Sequence, residues 1–490
     1  MSDSSSIWSR LRRLFGGKKP EPAPLAPVAD PAPQGGLPSE TSTAKPLAPP
    51  SVPKATPTGA RNEPPVPRSR VTAVSAPPID LVLGVDLGTS CTKVVIGDPG
   101  WQDKFFAVPF APADGGISAW FNPTRFGPEA NLKMRLMNDP ELEHVRDLLA
   151  CYLAEVINHS RSWFDSNRPA DYRGREIYWS LNLGFPDKAV DDSPLALAYR
   201  SIATVAVSLA SCPETPSLEL AARLRQHGPE GKPFIPSGRI ELYPEIAAQL
   251  AGYVNSPFRQ PGSLLLIDVG AGTLDVSTII LHQDRAQDVV SFFHCEVESL
   301  GVLRLYAARS DVLESIRPGC VKFPLDHFQD GSLPVPESLD QMVEQLSEDL
   351  RNGFRRVSAE FAENIVRVAL SCLTRFRVFQ RNAHTNENFD PWGNTLRFFL
   401  TGGGCRSAFY RDQLANGPLD DQLAPFTRWH REAHLRLADN QGLRLEPLPM
   451  PDNLQNFPPA LRRDFDRLSV AYGLAYGGAN LPGTTTTIRP

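Results

Sequence analysis

Two short runs of this 490-residue chain carry the same chemistry. Leu81-Val82-Leu83-Gly84-Val85-Asp86-Leu87-Gly88-Thr89-Ser90 is an apolar run ending in an aspartate, a glycine and two hydroxyl residues. Leu264-Leu265-Leu266-Ile267-Asp268-Val269-Gly270-Ala271-Gly272-Thr273-Leu274-Asp275 repeats that plan, with Asp86 and Asp268 182 residues apart. An aspartate at a strand end is a hard oxygen ligand suited to a hydrated Mg²⁺. Glycines let the backbone come close to a ligand and adopt positive φ. Successive amide N–H groups can then ring a phosphate, and a Thr or Ser hydroxyl adds a further donor. A second apolar run follows each turn at once, from Thr92 and from Leu274. That pattern predicts two glycine-tipped β-hairpins. One such hairpin reads as an ordinary tight turn; two with the same aspartate offset read as a paired clamp for phosphate and metal.

A third glycine turn lies further on. Leu396-Arg397-Phe398-Phe399-Leu400-Thr401-Gly402-Gly403-Gly404-Cys405-Arg406-Ser407 predicts a strand, a glycine joint and a helix opening near Ser407. Such a joint lets a flat ring approach the backbone. Around these motifs, apolar runs of strand length fall at 81–85, 93–97, 177–183, 264–268, 275–281, 289–293 and 396–400. Helical periodicity dominates 141–159, 193–211, 340–381 and 467–477. Strands alternating with helices predict an α/β fold with layered sheets.

Composition narrows the function classes. A formal net charge of −5 gives no reason to expect nucleic-acid binding. The seven cysteines are scattered, odd in number and without CxxC pairs, which argues against both a zinc site and a disulfide framework and fits a reducing compartment. No run reaches the roughly 18 apolar residues of a membrane span, and no secretory signal is expected.

Residues 1–78 hold 17 of the 48 prolines and an excess of basic over acidic side chains. Proline removes a backbone donor and resists helix and sheet alike, so a disordered tether is expected. Within it, residues 6–15 place Ile7, Trp8, Leu11, Leu14 and Phe15 on one helical face and Arg10, Arg12 and Arg13 on the other. Such a segment could lie on an anionic membrane surface or dock in a partner's groove, or be a frayed terminus, because so short a helix is marginal alone.

The three glycine motifs, in this order, resemble the phosphate-1, phosphate-2 and adenosine motifs of the actin, hexokinase and heat-shock-protein-70 superfamily. The spacing is closest to the nucleotide-binding domain of DnaK-type chaperones. The segment from Glu241 to Ala251 is similar to the family's first connecting helix, and Val470-Ala471-Tyr472-Gly473-Leu474-Ala475-Tyr476-Gly477 to its C-terminal hinge helix. The resemblance implies a two-lobed actin-like ATPase fold, made of duplicated ribonuclease-H-like domains with a nucleotide cleft. Lobe I would span 79–262 and lobe II 263–481, with a disordered tail at 482–490. The implied ligands are ATP or ADP with Mg²⁺. Asp86 and Asp268 would organise the metal. Gly88, Thr89, Ser90, Gly270, Ala271, Gly272 and Thr273 would hold phosphates. Gly402, Gly403, Gly404 and Arg406 would border the adenosine. Glu245 would orient the attacking water, with Glu241 as the alternative; Asp275 reads equally as structural.

Four departures bear on activity. Ala271 replaces a glycine of the family's turn, Cys91 stands where Asn is frequent, and Gly301-Val302 replaces a Gly-Gly. The family's catalytic lysine follows Gly-x-x-Ala, where this chain has Gly127-Pro128-Glu129-Ala130-Asn131; Lys133 is the nearest replacement. No peptide-binding domain is expected after the hinge helix. The expected function is a heat-shock-protein-70-like ATP-binding protein, a slow ATPase acting as a nucleotide switch on an unidentified protein partner, cytoplasmic or peripheral at the inner membrane. The alternative is an actin-like, membrane-associated cytoskeletal or cell-division protein. A metabolite kinase or exopolyphosphatase, and an inactive nucleotide-shaped scaffold, are the remaining readings.

Overall fold

The computed structural model describes residues 77–110 except 90 and 102, 119–120, 132–186 except 168, 193–284 except 230 and 257, 287–319, 346–383, 397–414, 444–458 except 447, 465–476 and 483–485. The expected tether, save its last two residues, and the segment 6–15 lie outside these residues, as do Ser90 and the 127–131 stretch.

The first hairpin is β1 (Ile79–Leu87) and β2 (Cys91–Asp98), with Asp86 directly opposite Lys93. β3 (Lys104–Ala107) continues the meander, and the short β4 (Ala119–Trp120) also pairs with β2. Helices α1 (Leu132–Asn138) and α2 (Glu143–Asn167) lead to β5 (Ile177–Phe185), parallel to β1. Helices α3 (Pro194–Ser211) and α4 (Leu218–His227) lead to β6 (Ile240–Pro244), parallel to β5. The sheet order is β3-β2-β1-β5-β6.

After α5 (Glu245–Val254) the same plan recurs. β7 (Gly262–Val269), β8 (Leu274–Asp284) and β9 (Gln287–Glu298) form an antiparallel meander, with Asp268 opposite Asp275. Helices α6 (Val302–Ile316) and α7 (Glu348–Ala383) lead to β10 (Arg397–Thr401), parallel to β7. Helix α8 (Ala408–Leu414) precedes β11 (Arg444–Glu446), parallel to β10. The order β9-β8-β7-β10-β11 matches that of the first sheet, strand for strand. The chain then returns: β12 (Leu454–Gln455) pairs with β3, α9 (Ser469–Tyr476) follows, and β13 (Gly483–Thr485) pairs with β9. Two meander-plus-parallel sheets in one spatial order are duplicated ribonuclease-H-like units, so the chain has the two-lobed actin-like fold.

All seven predicted strands and the four predicted helical regions are found. β3, β6, α4 and α6 were not singled out, being short or weakly patterned. The 241–251 segment proves to be two elements: Ile240–Pro244 is a strand, and the helix begins at Glu245, where an acidic side chain suits the positive helix end. Gly483–Thr485, within the expected tail, is paired as β13. By length and mean hydropathy α3 is long and apolar enough to cross a bilayer, although Arg200 and several hydroxyl residues interrupt its apolar run. Its side chains from Ala196 to Ala210 are instead largely buried in the first lobe's core, among Leu148, Phe185 and Leu220.

The two sheets share one further apolar cluster. Val95 and Phe105 from the first, Leu264, Leu266 and Phe399 from the second, and Leu250, Tyr253 and Tyr472 from α5 and α9 are all buried in it. Helix α9 is held by close backbone contact. A Cβ on Gly84 or Gly97 would collide with the Ala475 backbone, and one on Gly473 would collide with the Ala248 carbonyl of α5. Asn182 Nδ2 of β5 donates to the Leu474 carbonyl at 2.7 Å. Because the obstacle at Gly473 is backbone, Gly473→Val forces α5 and α9 apart. We expect a loss of about 3 kcal/mol or more, read by urea unfolding; a variant within about 0.5 kcal/mol of the parent, the ordinary scatter of surface changes, would contradict this packing.

Candidate functional site

The two hairpin tips meet. A Cβ on Gly272 would lie 2.9 Å from Thr89 Oγ1 and 2.8 Å from the Met134 sulfur, so the glycine is needed for the approach of one half to the other. Positive φ is not the reason, contrary to the simplest expectation from a glycine-rich turn. Among the described residues of the three motifs only Gly402 has it, at +84°. Ala271 has no positive φ either, which is why alanine is tolerated there.

The second turn is tied to the start of α6. The amides of Gly301, Val302 and Leu303 donate to the carbonyls of Gly272, Gly270 and Ala271 at 3.2, 3.1 and 2.8 Å. Gly301 packs so closely on Ala271 and Gly272 that a side chain there would strike their backbone. The third turn closes on the same aspartate: a Cβ on Gly402 would collide with Asp268 Oδ1. Gly403 and Gly404 follow in a short 3-10 turn ending at Arg406, whose side chain lies outside the described residues. Thus Thr89, Gly270–Thr273, Asp268 and Gly402 come together, and Gly88 sits in the first turn with its amide on the Asp86 carbonyl at 3.2 Å.

The charged groups at this junction are buried. Lys93 Nζ pairs with Asp86 Oδ2 at 3.0 Å. Lys133 Nζ, from α1, reaches Glu245 Oε1 and Oε2 at 2.7 and 2.9 Å, with 7% and 14% of the two side chains exposed. Burial works against the charge on Lys133, but Glu245, with Tyr199 and Asp86 adding to it, holds the ammonium above its ordinary value. Asp86 raises Lys93 in the same way against the cost of burial. Glu241, the alternative to Glu245, is exposed and accepts a hydrogen bond from Tyr243.

The duplication is uneven at one position. Seven residues after each aspartate, its cross-strand partner is Lys93 in the first hairpin and Asp275 in the second. The second pair therefore sets two buried carboxylates side by side. Burial, with Asp86 and Glu245 adding to it, pushes Asp268 from 3.8 up to about 7. Burial and Asp268 push Asp275 from 3.8 up to about 8. Gln249 of α5 donates Nε2 to Asp268 Oδ2 at 2.8 Å. Asp275 Oδ1 and Gln249 Oε1 are buried with no partner. A group of carboxylates with two orphaned acceptor oxygens is the chemistry of a site for a hydrated divalent cation, so the donor set fits Mg²⁺. Lys93, Gln249 and the pairing of Lys133 with Glu245 were not singled out from sequence. The shared seven-residue offset would have flagged Lys93 and Asp275 together; nothing local marks Gln249.

No protein-family model matches the chain, and no curated protein matches it in sequence. Among solved structures, a chain of a 15-stranded ParM filament from Clostridium botulinum is similar, at 13% identity and a TM-score of 0.36, with 81% of this chain and 98% of that chain covered. A likeness at that level says nothing about activity or partners.

The raised carboxylates give a sign to the pH dependence. Folded Asp268 and Asp275 keep protons that the unfolded chain releases near its ordinary values, so the contribution of this pair to folded stability falls as pH rises from about 4 to about 8. In EDTA without nucleotide, melting temperature should drop between pH 6 and 8.5, and Asp275→Asn should flatten the drop. A wild-type profile that is level or rising over that interval would refute the buried carboxylate pair.

Proposed function

We propose that the chain binds ATP with Mg²⁺ between its two hairpin tips and works as a slow ATPase, a nucleotide-dependent switch acting on a protein partner. The observation that carries this reading is the meeting of Thr89 and Gly272 over a buried set of opposed charges. Two glycine-containing turns, one from each half, suit a polyphosphate chain, and Asp86 and Asp268 suit its cation.

The residues divide the work. The bound Mg²⁺ would neutralise charge on the phosphates. Lys93, freed from full commitment to Asp86 by that cation, would face the phosphates. Lys133 would stabilise the charge that develops on the transferring phosphoryl, taking the part left open by Asn131. Glu245, fixed by Lys133, would orient the attacking water. Gln249 would hold the Asp268 carboxylate in one orientation. The glycines at 402–404, with Arg406, would border the adenosine. Opening and closing of the tips would then be the change that the partner reads. Residues 6–15 and the tether would attach the switch to a partner groove or to the inner face of the membrane, in the cytoplasm.

Calorimetry with purified full-length protein should show saturable ATP binding that Mg²⁺ strengthens. Asp268→Ala should lose the Mg²⁺-linked part. Lys133→Ala should keep binding while turnover falls by about 100-fold or more, the scale for removing one electrostatic stabiliser. Absence of ATP binding in the wild type would overturn the proposal. Pelleting of the same sample with ATP decides the cytoskeletal alternative: assembly into polymer would favour it over the partner-switch reading.

A further inference from the structure

A second cluster of ligating side chains lies in the second lobe, outside the group just described. His294 and Glu296 are two residues apart on β9, so they point to the same face of the sheet. Helix α7 packs over that face and brings Cys372 against it. One ring nitrogen of His294, one carboxylate oxygen of Glu296 and the Cys372 sulfur all lie within 4.8 Å of one another. His294 Nε2 and Glu296 Oε1 are 2.9 Å apart, close to the roughly 3.3 Å edge between two ligands on one tetrahedral ion with bonds near 2 Å.

The surroundings are those of a supported site. Ser371 Oγ, the neighbour of Cys372 on α7, donates to Glu296 Oε1 at 2.8 Å and so orients the carboxylate. Cys372 is fully buried, and its thiol rests on the Val276 carbonyl at 3.5 Å. His294 and Glu296 keep 15% and 20% of their side chains exposed, so a path from solvent remains.

We propose that His294, Glu296 and Cys372 form a site for a thiophilic divalent cation of the zinc class, with water as the fourth ligand. A thiolate, an imidazole and a carboxylate together select zinc over Mg²⁺, which takes oxygen ligands alone. On binding, the Cys372 thiol gives its proton to solvent and the sulfur bonds the metal. Position gives the site its effect. Glu296 lies five residues before Gly301, which packs on the second phosphate-type turn. A metal joining β9 to α7 would fasten the support of that turn.

The test uses the full-length protein expressed with zinc and dialysed free of loose metal. Metal analysis should find about one zinc per chain. Cobalt replacement should give a thiolate-to-cobalt charge-transfer band and the visible bands of a tetrahedral ion. Cys372→Ser should abolish the charge-transfer band although six cysteines remain of the seven. His294→Gln should lose the metal while keeping a cooperative melt, which separates lost ligation from failure to fold. Asp268→Ala should keep its zinc, so the result does not depend on the nucleotide reading. No zinc in the wild type, or undiminished zinc in a folded His294→Gln variant, would overturn the proposal.

Discussion

The close approach of Gly272 to Thr89 is the constraint from which the rest of the described site follows. Each hairpin alone is a turn with an aspartate at its base. Only where the two tips touch do four carboxylates and two lysines share one buried volume. The approach needs a residue without a Cβ at 272. It also needs the second turn to be rigid, which the three amides at the start of α6 provide. The cluster that ties both sheets to α5 and α9 keeps the halves in register, and the small residues of α9 allow it to lie against β1 and β2.

Duplication explains the architecture, and its unevenness explains the electrostatics. The same strand order occurs twice, and the same hairpin register places residue seven opposite each aspartate. Lysine at that place in the first half balances Asp86 within the protein. Aspartate in the second half leaves Asp268 unbalanced, so the free protein carries raised carboxylates and two orphaned oxygens.

Much of this was legible in the residues. Apolar runs of strand length marked all seven strands; β1 and β7, central in their sheets, read as nearly continuous apolar runs because both faces are covered. The paired aspartates and glycines located the junction. Lys133 was visible only as a neighbour of Asn131, since its partner Glu245 lies 112 residues away and no local pattern links them. Gln249 reads in sequence as one polar position on an apolar helix. Its meaning depends on α5 crossing beneath Asp268. Glycine chemistry was legible in kind but not in cause: close approach, rather than positive φ, dictates Gly272, Gly301 and Gly473.

The central claim is that both hairpins and the third glycine turn act on one nucleotide. Amide hydrogen exchange on the full-length protein, with and without Mg²⁺ and ATP, tests it directly. Segments 84–93, 268–275 and 402–406 should gain protection together and over the same range of nucleotide concentration. Protection confined to one hairpin, or none in any of the three, would contradict a shared site.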